Sequence, residues 1–147
     1  MKKNQTLRRI VFLVPFVAFA SHAEAIYMVT AKTSQLQELS TSQIKDIYLG
    51  VPVFQSGVHV KAIDRKERES RLRERFFKNV VGLNLTQMRS LWSQLIFTGR
   101  GYPPPVVDSL DEAVQMLMKG NEFTTFVSDS EFDPNKMKTV FQWTDSK

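Results

Sequence analysis

The residues best suited by type to do chemistry lie between Val60 and Val81, in the stretch VKAIDRKERESRLRERFFKNVV. Val60, Ala62 and Ile63 read as a short buried strand, followed by a charged turn. Leu72, Phe76, Phe77 and Val80 then recur at the three-and-four spacing of an amphipathic helix. A strand feeding a helix N-terminus through a polar turn presents unpaired backbone N–H groups and the positive end of the helix dipole, a combination that holds anions. Arg65, Ser70 and Arg71 are placed to face such a ligand. The same stretch also fits an ordinary solvated helix, because Glu67 with Arg71, Glu69 with Arg73, and Glu74 with Lys78 are (i, i+4) partners. The helix start separates the two readings. Asp64 with Glu67 forms one candidate capping box, which starts the helix at Arg65. Ser70 is the other candidate cap, and only this one offers a hydroxyl and free N–H groups to a ligand.

A second cation, Arg100, sits in the loop Thr98-Gly99-Arg100-Gly101, whose glycines serve equally well as a helix terminator. Little else points to chemistry. Beyond residue 25 the chain has one histidine, His59, inside an expected strand, and no cysteine occurs anywhere. No Ser/His/Asp spacing, thiol nucleophile or metal-ligand cluster stands out, so the expectation is a non-enzyme without metal or cofactor. The absence of cysteine also excludes disulfides and lipidation at a cleavage-site cysteine. The basic stretch lacks the interleaved aromatics that stacking on bases requires, which argues against nucleic acid as a partner.

These residues must be positioned by a chain that begins with a targeting segment. Lys2, Lys3, Arg8 and Arg9 form a basic region, Ile10 to Ala20 is a short apolar run, and Ala23-Glu24-Ala25 is a small-x-small site. That is the pattern of a secretory signal peptide over residues 1–25, with cleavage expected after Ala25. The apolar run is too short to span a bilayer and contains Pro15. Residues 26–147 are then one soluble exported domain. Without residues 1–25, Lys+Arg falls from 20 to 16 and Asp+Glu from 15 to 14, so the net charge drops from +5 to +2. The remaining charge is uneven: residues 61–78 hold eight cations and four acids, whereas residues 108–147 hold eight acids and four bases. A local basic face of this size favours an anionic small ligand or an acidic partner.

Ile26 to Lys32 reads as a first strand, and Ser40 with Gln43 caps a helix carrying Ile44, Ile47 and Tyr48 that Gly50 ends. Residues 51–57 are a loop or an edge strand, because Pro52 cannot donate to a ladder; residues 59–64 are the second strand. Gly82 closes the helix discussed above. Asn84 with Gln87 opens another, with Leu85, Met88, Leu91, Trp92, Leu95 and Ile96 as its apolar stripe and Trp92 in the core. TGRGYPPP breaks it, with extended geometry over the three prolines. Ser109 with Glu112 caps a further helix carrying Leu110, Val114, Leu117 and Met118, ending at Gly120. Phe123 to Val127 and Val140 to Trp143 are strands around a polar turn. The order β-α-β-α-α-α-β-β predicts a small α/β sandwich with a mixed sheet.

Four stretches together resemble the phosphate-binding family of periplasmic solute receptors of ABC transporters. They are QIKDIYLG at 43–50, the strand and turn from Val60 to Ser70, LWSQLIFTGRG at 91–101, and the prolines that follow. The match is to short, single-lobe members of this phosphate ABC transporter substrate-binding group and covers nearly all of residues 26–147. The resemblance implies a single lobe of the type II periplasmic-binding-protein fold, a small mixed sheet flanked by helices. It also implies a periplasmic location and binding of phosphate or a related oxyanion. In this family an arginine after a strand and a Ser-Gly-Thr at a helix start bind the oxyanion. Arg65 and Ser70 match the arginine and the serine, whereas Arg71 stands at the glycine and Leu72 at the threonine. A later segment, commonly Gly-Ala-Ile-Gly-Tyr, is Glu122-Phe123-Thr124-Thr125-Phe126 here. Full-length members close two lobes on the ligand, so a single lobe requires a homodimer or an envelope partner to supply the opposing face. The alternative is a non-transport accessory or sensory protein that docks on an envelope partner without binding a small ligand.

Overall fold

Among the described residues, three α-helices begin at a side chain that accepts from the backbone three residues on. Ser40 accepts from Gln43 N and Asn84 from Gln87 N, and both glutamines return the bond to the cap's own N–H. Ser109 accepts from Glu112 N, but the Glu112 carboxylate accepts from Asp108 N instead of Ser109 N. These caps set the starts of α1 (Thr41–Tyr48), α3 (Leu85–Phe97) and α4 (Leu110–Lys119). The computed structural model describes residues 24–66 and 71–144.

The strands are β1 (Ile26–Ala31), β2 (Val53–Gln55), β3 (Val58–Ala62), β4 (Asp64–Arg65), β5 (Val106–Val107), β6 (Phe123–Ser128) and β7 (Met137–Trp143). Five of them form a mixed sheet in the order β2-β3-β6-β1-β7. β1 runs antiparallel to β6 and β7, β2 antiparallel to β3, and β3 parallel to β6. The edge-strand option for the segment after Pro52 is the one realised, in β2. The expected second strand is split. β3 stops at Ala62, and Asp64–Arg65 leaves the main sheet to pair in parallel with Val106–Val107. Pro105 O accepts from Asp64 N at 2.9 Å and Val107 O from Lys66 N at 2.8 Å. The extended proline run thus delivers a second, two-stranded sheet.

Hydrophobic residues cover both faces of the main sheet. On one face Ile26, Met28, Phe126 and Val140 meet Ile44 and Tyr48 of α1, Phe76, Phe77 and Val80, and Met88 and Trp92 of α3. On the other, Val29, Ala31 and Val127 meet Ala113 and Leu117 of α4. The first face is held by four aromatic rings: Phe76 stacks on Phe126 at 4.3 Å between centroids, and Tyr48 meets both Phe76 and Phe77 edge-on. Trp92 is in the core as expected: Met88 and Trp92 are buried on α3, Leu85 and Leu95 pack against the same core partly buried, and Ile96 at the end of the stripe is half exposed. On α4, Leu117 and Ala113 are buried while Met118 faces solvent.

The helix that follows β4 differs most from expectation. It is a short α2 (Leu72–Phe76) that widens into one π turn (Phe77–Val81) before Gly82, at φ +88°, ends it. A helix starting at Arg65 under an Asp64 cap is ruled out, since Asp64 and Arg65 are strand. The Asp64 carboxylate accepts from Arg73 Nε and Nη2 at 2.9 and 2.7 Å instead. The residue flanking α2 is Arg71, at φ −74° and ψ −3°, whose own side chain makes no cap hydrogen bond among the described residues. Ser70, Glu67 and Glu69 lie outside the described residues.

Candidate functional site around Arg65

β4 carries two charged residues into the interior in succession, because the two-stranded sheet it forms with β5 lies beside β6. Arg65 is 2% exposed and Asp64 5%. Burial of either charge is costly unless it is paired and hydrogen-bonded. Asp64 is held by Arg73 from α2, and the Arg73 guanidinium also lies 5.2 Å from the centre of the Phe77 ring. The hydrogen bond to Asp64 is the main cause that holds Arg73 more basic than an ordinary arginine.

Arg65 is met by a carboxylate. Its Nη2 donates to Glu131 Oε1 at 2.8 Å and its Nη1 to Glu131 Oε2 at 3.0 Å, and Nη1 also donates to the Phe126 carbonyl at 3.0 Å. Glu131 ends the single 3-10 turn (Asp129–Glu131) that follows β6, where Ser128 N donates to its Oε2 at 2.9 Å. Half-burial pushes the Glu131 pKa up, but the Arg65 and Ser128 hydrogen bonds outweigh it and hold the carboxyl below the ordinary glutamate value. A planar guanidinium fork gripping both oxygens of a carboxylate is also the geometry in which arginine holds a phosphate. Here the grip is filled by the chain itself.

Beneath the pair, the Ile63 carbonyl accepts from Tyr48 Oη at 3.1 Å and from Thr125 Oγ1 at 3.0 Å. Tyr48 is fully enclosed; burial is the chief cause that drives its phenol pKa well up, and the nearby Asp64 charge adds to it. It is a structural donor.

Of the sequence-derived site residues that are described, Arg65, Arg71 and Arg100 line no common groove. Arg71 is exposed and lines an open groove of about 760 Å³ with Arg75, Lys78, Asn84 and Gln87. Arg100 is exposed and lines a different one, of about 380 Å³, with Gly50, Lys61 and Tyr102. Arg65 lines neither. Glu131 and Ser128 are not among the sequence-derived site residues, although Ser128-Asp129-Ser130-Glu131 has the S-x-x-E spacing of a capping box and is the local signal that marks them. His59 stacks on Phe54 at 5.0 Å on the exposed edge hairpin. No group of three or more His, Asp or Glu suited to a metal occurs among the described residues. No helix among them is long and apolar enough to cross a membrane.

The mixed sheet, its helices on both faces and its parallel β3–β6 pair form a single α/β lobe with a periplasmic-binding-protein-like fold. Among solved structures the chain is similar to an ABC-type phosphate transport receptor from Vibrio cholerae. The TM-score is 0.56 at 15% identity, over 80% of this chain and 45% of that one. The chain therefore spans less than half the length of that receptor, and the likeness is one of fold. No protein-family model matches the chain, and no curated protein matches it.

Proposed function

We propose that this chain is an exported interaction module, a periplasmic-binding-protein-like lobe that docks on an envelope partner rather than capturing a small ligand. The observation that carries this reading is the Glu131 carboxylate on Arg65, the residue matched to the oxyanion arginine. An incoming phosphate must displace a tethered anion that is present at very high effective concentration. The departures at Arg71 and Leu72 act in the same direction. The reading is of a binding protein and not an enzyme. Export rests on the basic and apolar pattern of residues 1–25, and β1 starts at Ile26, directly after the expected cleavage point.

A second reading keeps the small ligand: phosphate or a related oxyanion bound at Arg65, Ser70 and Arg71 after Glu131 swings away. The bidentate geometry at Arg65 favours it, since that geometry suits an oxyanion. Calorimetric titration with phosphate, with sulfate as the comparison, separates the two. The interaction reading expects no saturable heat at millimolar ligand for the wild type, and phosphate-dependent stabilisation only after Glu131→Gln vacates part of the fork. Saturable, phosphate-preferring heat in the wild type overturns it in favour of the second reading.

A further inference from the structure

Two large apolar side chains are left almost wholly in water at one corner of the lobe, Phe97 at 92% and Tyr102 at 84% exposure. Single exposed hydrophobes are ordinary, but these flank one short turn, and Ile96 and Val106 beside them are half exposed. The turn is tied back to the helix by hydrogen bonds. The Thr98 hydroxyl donates to Gln94 O, Gly99 takes φ +64°, and Arg100 N donates to Leu95 O, after which three prolines run extended into β5. Pro103 and Pro104 form a ridge, because they line a groove on each side. One groove, of about 320 Å³, has Trp92 and Ile96 in its wall; the other, of about 380 Å³, has Val51 and Tyr102.

The charge on this corner has one uncompensated sign. Asp64 in the first groove is taken by Arg73, and Lys61 in the second lies 3.6 Å from Glu122. Arg89 and Arg100 have no acidic partner among the described residues, and Arg89 bonds only to the Thr86 hydroxyl there.

We infer that the proline ridge and its two grooves are a docking surface for a protein segment with apolar side chains flanked by acidic residues. This rests on the interaction reading above and names its surface. Concave grooves on either side of a ridge accept protruding side chains, whereas a bilayer surface supplies none of defined shape. A two-fold pairing of this patch with a second copy brings Arg89 and Arg100 of both copies into one interface, a concentration of like charge that works against a homodimer here. Aromatic and arginine residues beside preformed grooves are the composition of interface hot spots, and a stiff proline run loses little entropy on binding.

The test places a photo-crosslinking benzoylphenylalanine at Tyr102, at Phe97 and, as a position that lines neither of these two grooves, at Lys78 of the full chain in its native cell. The crosslinked peptides are then sequenced. The expected result is a Tyr102 or Phe97 adduct on a peptide of another protein that contains apolar residues beside Asp or Glu. Its yield should fall at least fivefold in the Arg89→Glu, Arg100→Glu double variant, whose urea midpoint is measured to show that it folds. Adducts to lipid or to a second copy, a peptide without acids, or a yield indifferent to charge reversal overturn the inference. An adduct from Lys78 alone overturns this surface but leaves the interaction reading standing. Silence at all three positions overturns both.

Discussion

Arg65 and Glu131 stand 66 residues apart in the chain and meet in a two-point ion pair, with the arginine almost fully enclosed and the glutamate side chain 22% exposed. The pair ties β4, which belongs to the small sheet, to the turn that follows β6 of the large one. Breaking a buried pair from one side leaves a charge without its counter-ion and costs about 3–5 kcal/mol, more than the intact pair contributes over an apolar substitute. The partial exposure of Glu131 places Glu131→Gln at or below the lower end, at about 2–3 kcal/mol. Urea unfolding at neutral pH reads this directly, and a change below about 0.5 kcal/mol, typical of exposed pairs, would refute the buried-pair account.

The same pair predicts an acid dependence. The folded-state pKa of Glu131 lies below its ordinary value, so folding favours the ionised form. Its contribution is complete above the ordinary glutamate range and is lost as pH falls through the folded-state value. The stability gap between wild type and Glu131→Gln should therefore close progressively below about pH 4. Parallel denaturation curves at neutral and acidic pH check the sign; a gap that widened in acid would contradict it.

Asp64 and Arg73 make the companion contact, two hydrogen bonds from a guanidinium fork to a carboxylate that is 8% exposed at the side chain. A lysine at position 73 keeps the charge but can neither bridge both oxygens nor lie flat near Phe77. Arg73→Lys should cost about 1–2 kcal/mol, on the scale of one lost charge-assisted hydrogen bond. Asp64→Ala should cost more, as Arg73 is left half-buried without its acceptor. Thermal unfolding of the two variants gives the order, and Arg73→Lys equal to wild type would show that charge alone suffices.

Hydroxyl and ring can be separated at the aromatic cluster. Tyr48→Phe removes one donor to the Ile63 carbonyl, but Thr125 Oγ1 still serves that carbonyl. No acceptor is stranded, and the expected loss is about 0.5–1 kcal/mol. Phe126→Ala instead empties the place of a fully buried ring stacked on Phe76, with an expected cost of about 3–5 kcal/mol. Denaturant midpoints decide the ratio; comparable losses would mean that the hydroxyl, not the ring packing, organises this side of the sheet.

What the sequence revealed and what it concealed divide by range. Ser40 with Gln43 and Asn84 with Gln87 are closed within three residues, so spacing alone locates the starts of α1 and α3. The β-branched and aromatic run from Ile26 and the FTTFV run likewise declare β1 and β6. Arg65 was legible as an anion-seeking residue, but not its anion, because Glu131 reaches it only through sheet pairing. The same holds for Asp64, which is one of two candidate helix caps in the sequence and is in fact held by Arg73. The π turn at Phe77–Val81 carries an ordinary helical pattern, and the packing of Phe77, Val80 and Val81 against the sheet, not the pattern, accompanies its widening. Two-residue strands such as β4 and β5 have too few residues to show any period.

Gly50, in the wall of one proposed docking groove, and Gly57, which lines neither, offer a controlled comparison. Gly50 and Gly57 sit at nearly the same backbone angle, φ +82° and +81°. A side chain at either meets the left-handed penalty of about 1–2 kcal/mol. At Gly57 a Cβ meets nothing within 4 Å, whereas at Gly50 it comes to 3.0 Å from the Trp92 ring and 3.4 Å from Leu95. Trp92 is packed in the core and its flank forms one groove wall, so the ring cannot yield without disturbing both. Gly50→Ala should therefore be more destabilising than Gly57→Ala by about 1 kcal/mol or more, the scale of overpacking in a filled interior. It should also shift the emission of Trp92, measured with Trp143 replaced by Phe in both variants. Equal stability losses and an unmoved emission would show that the Trp92 wall adapts freely and that Gly50 is required only for its backbone angle.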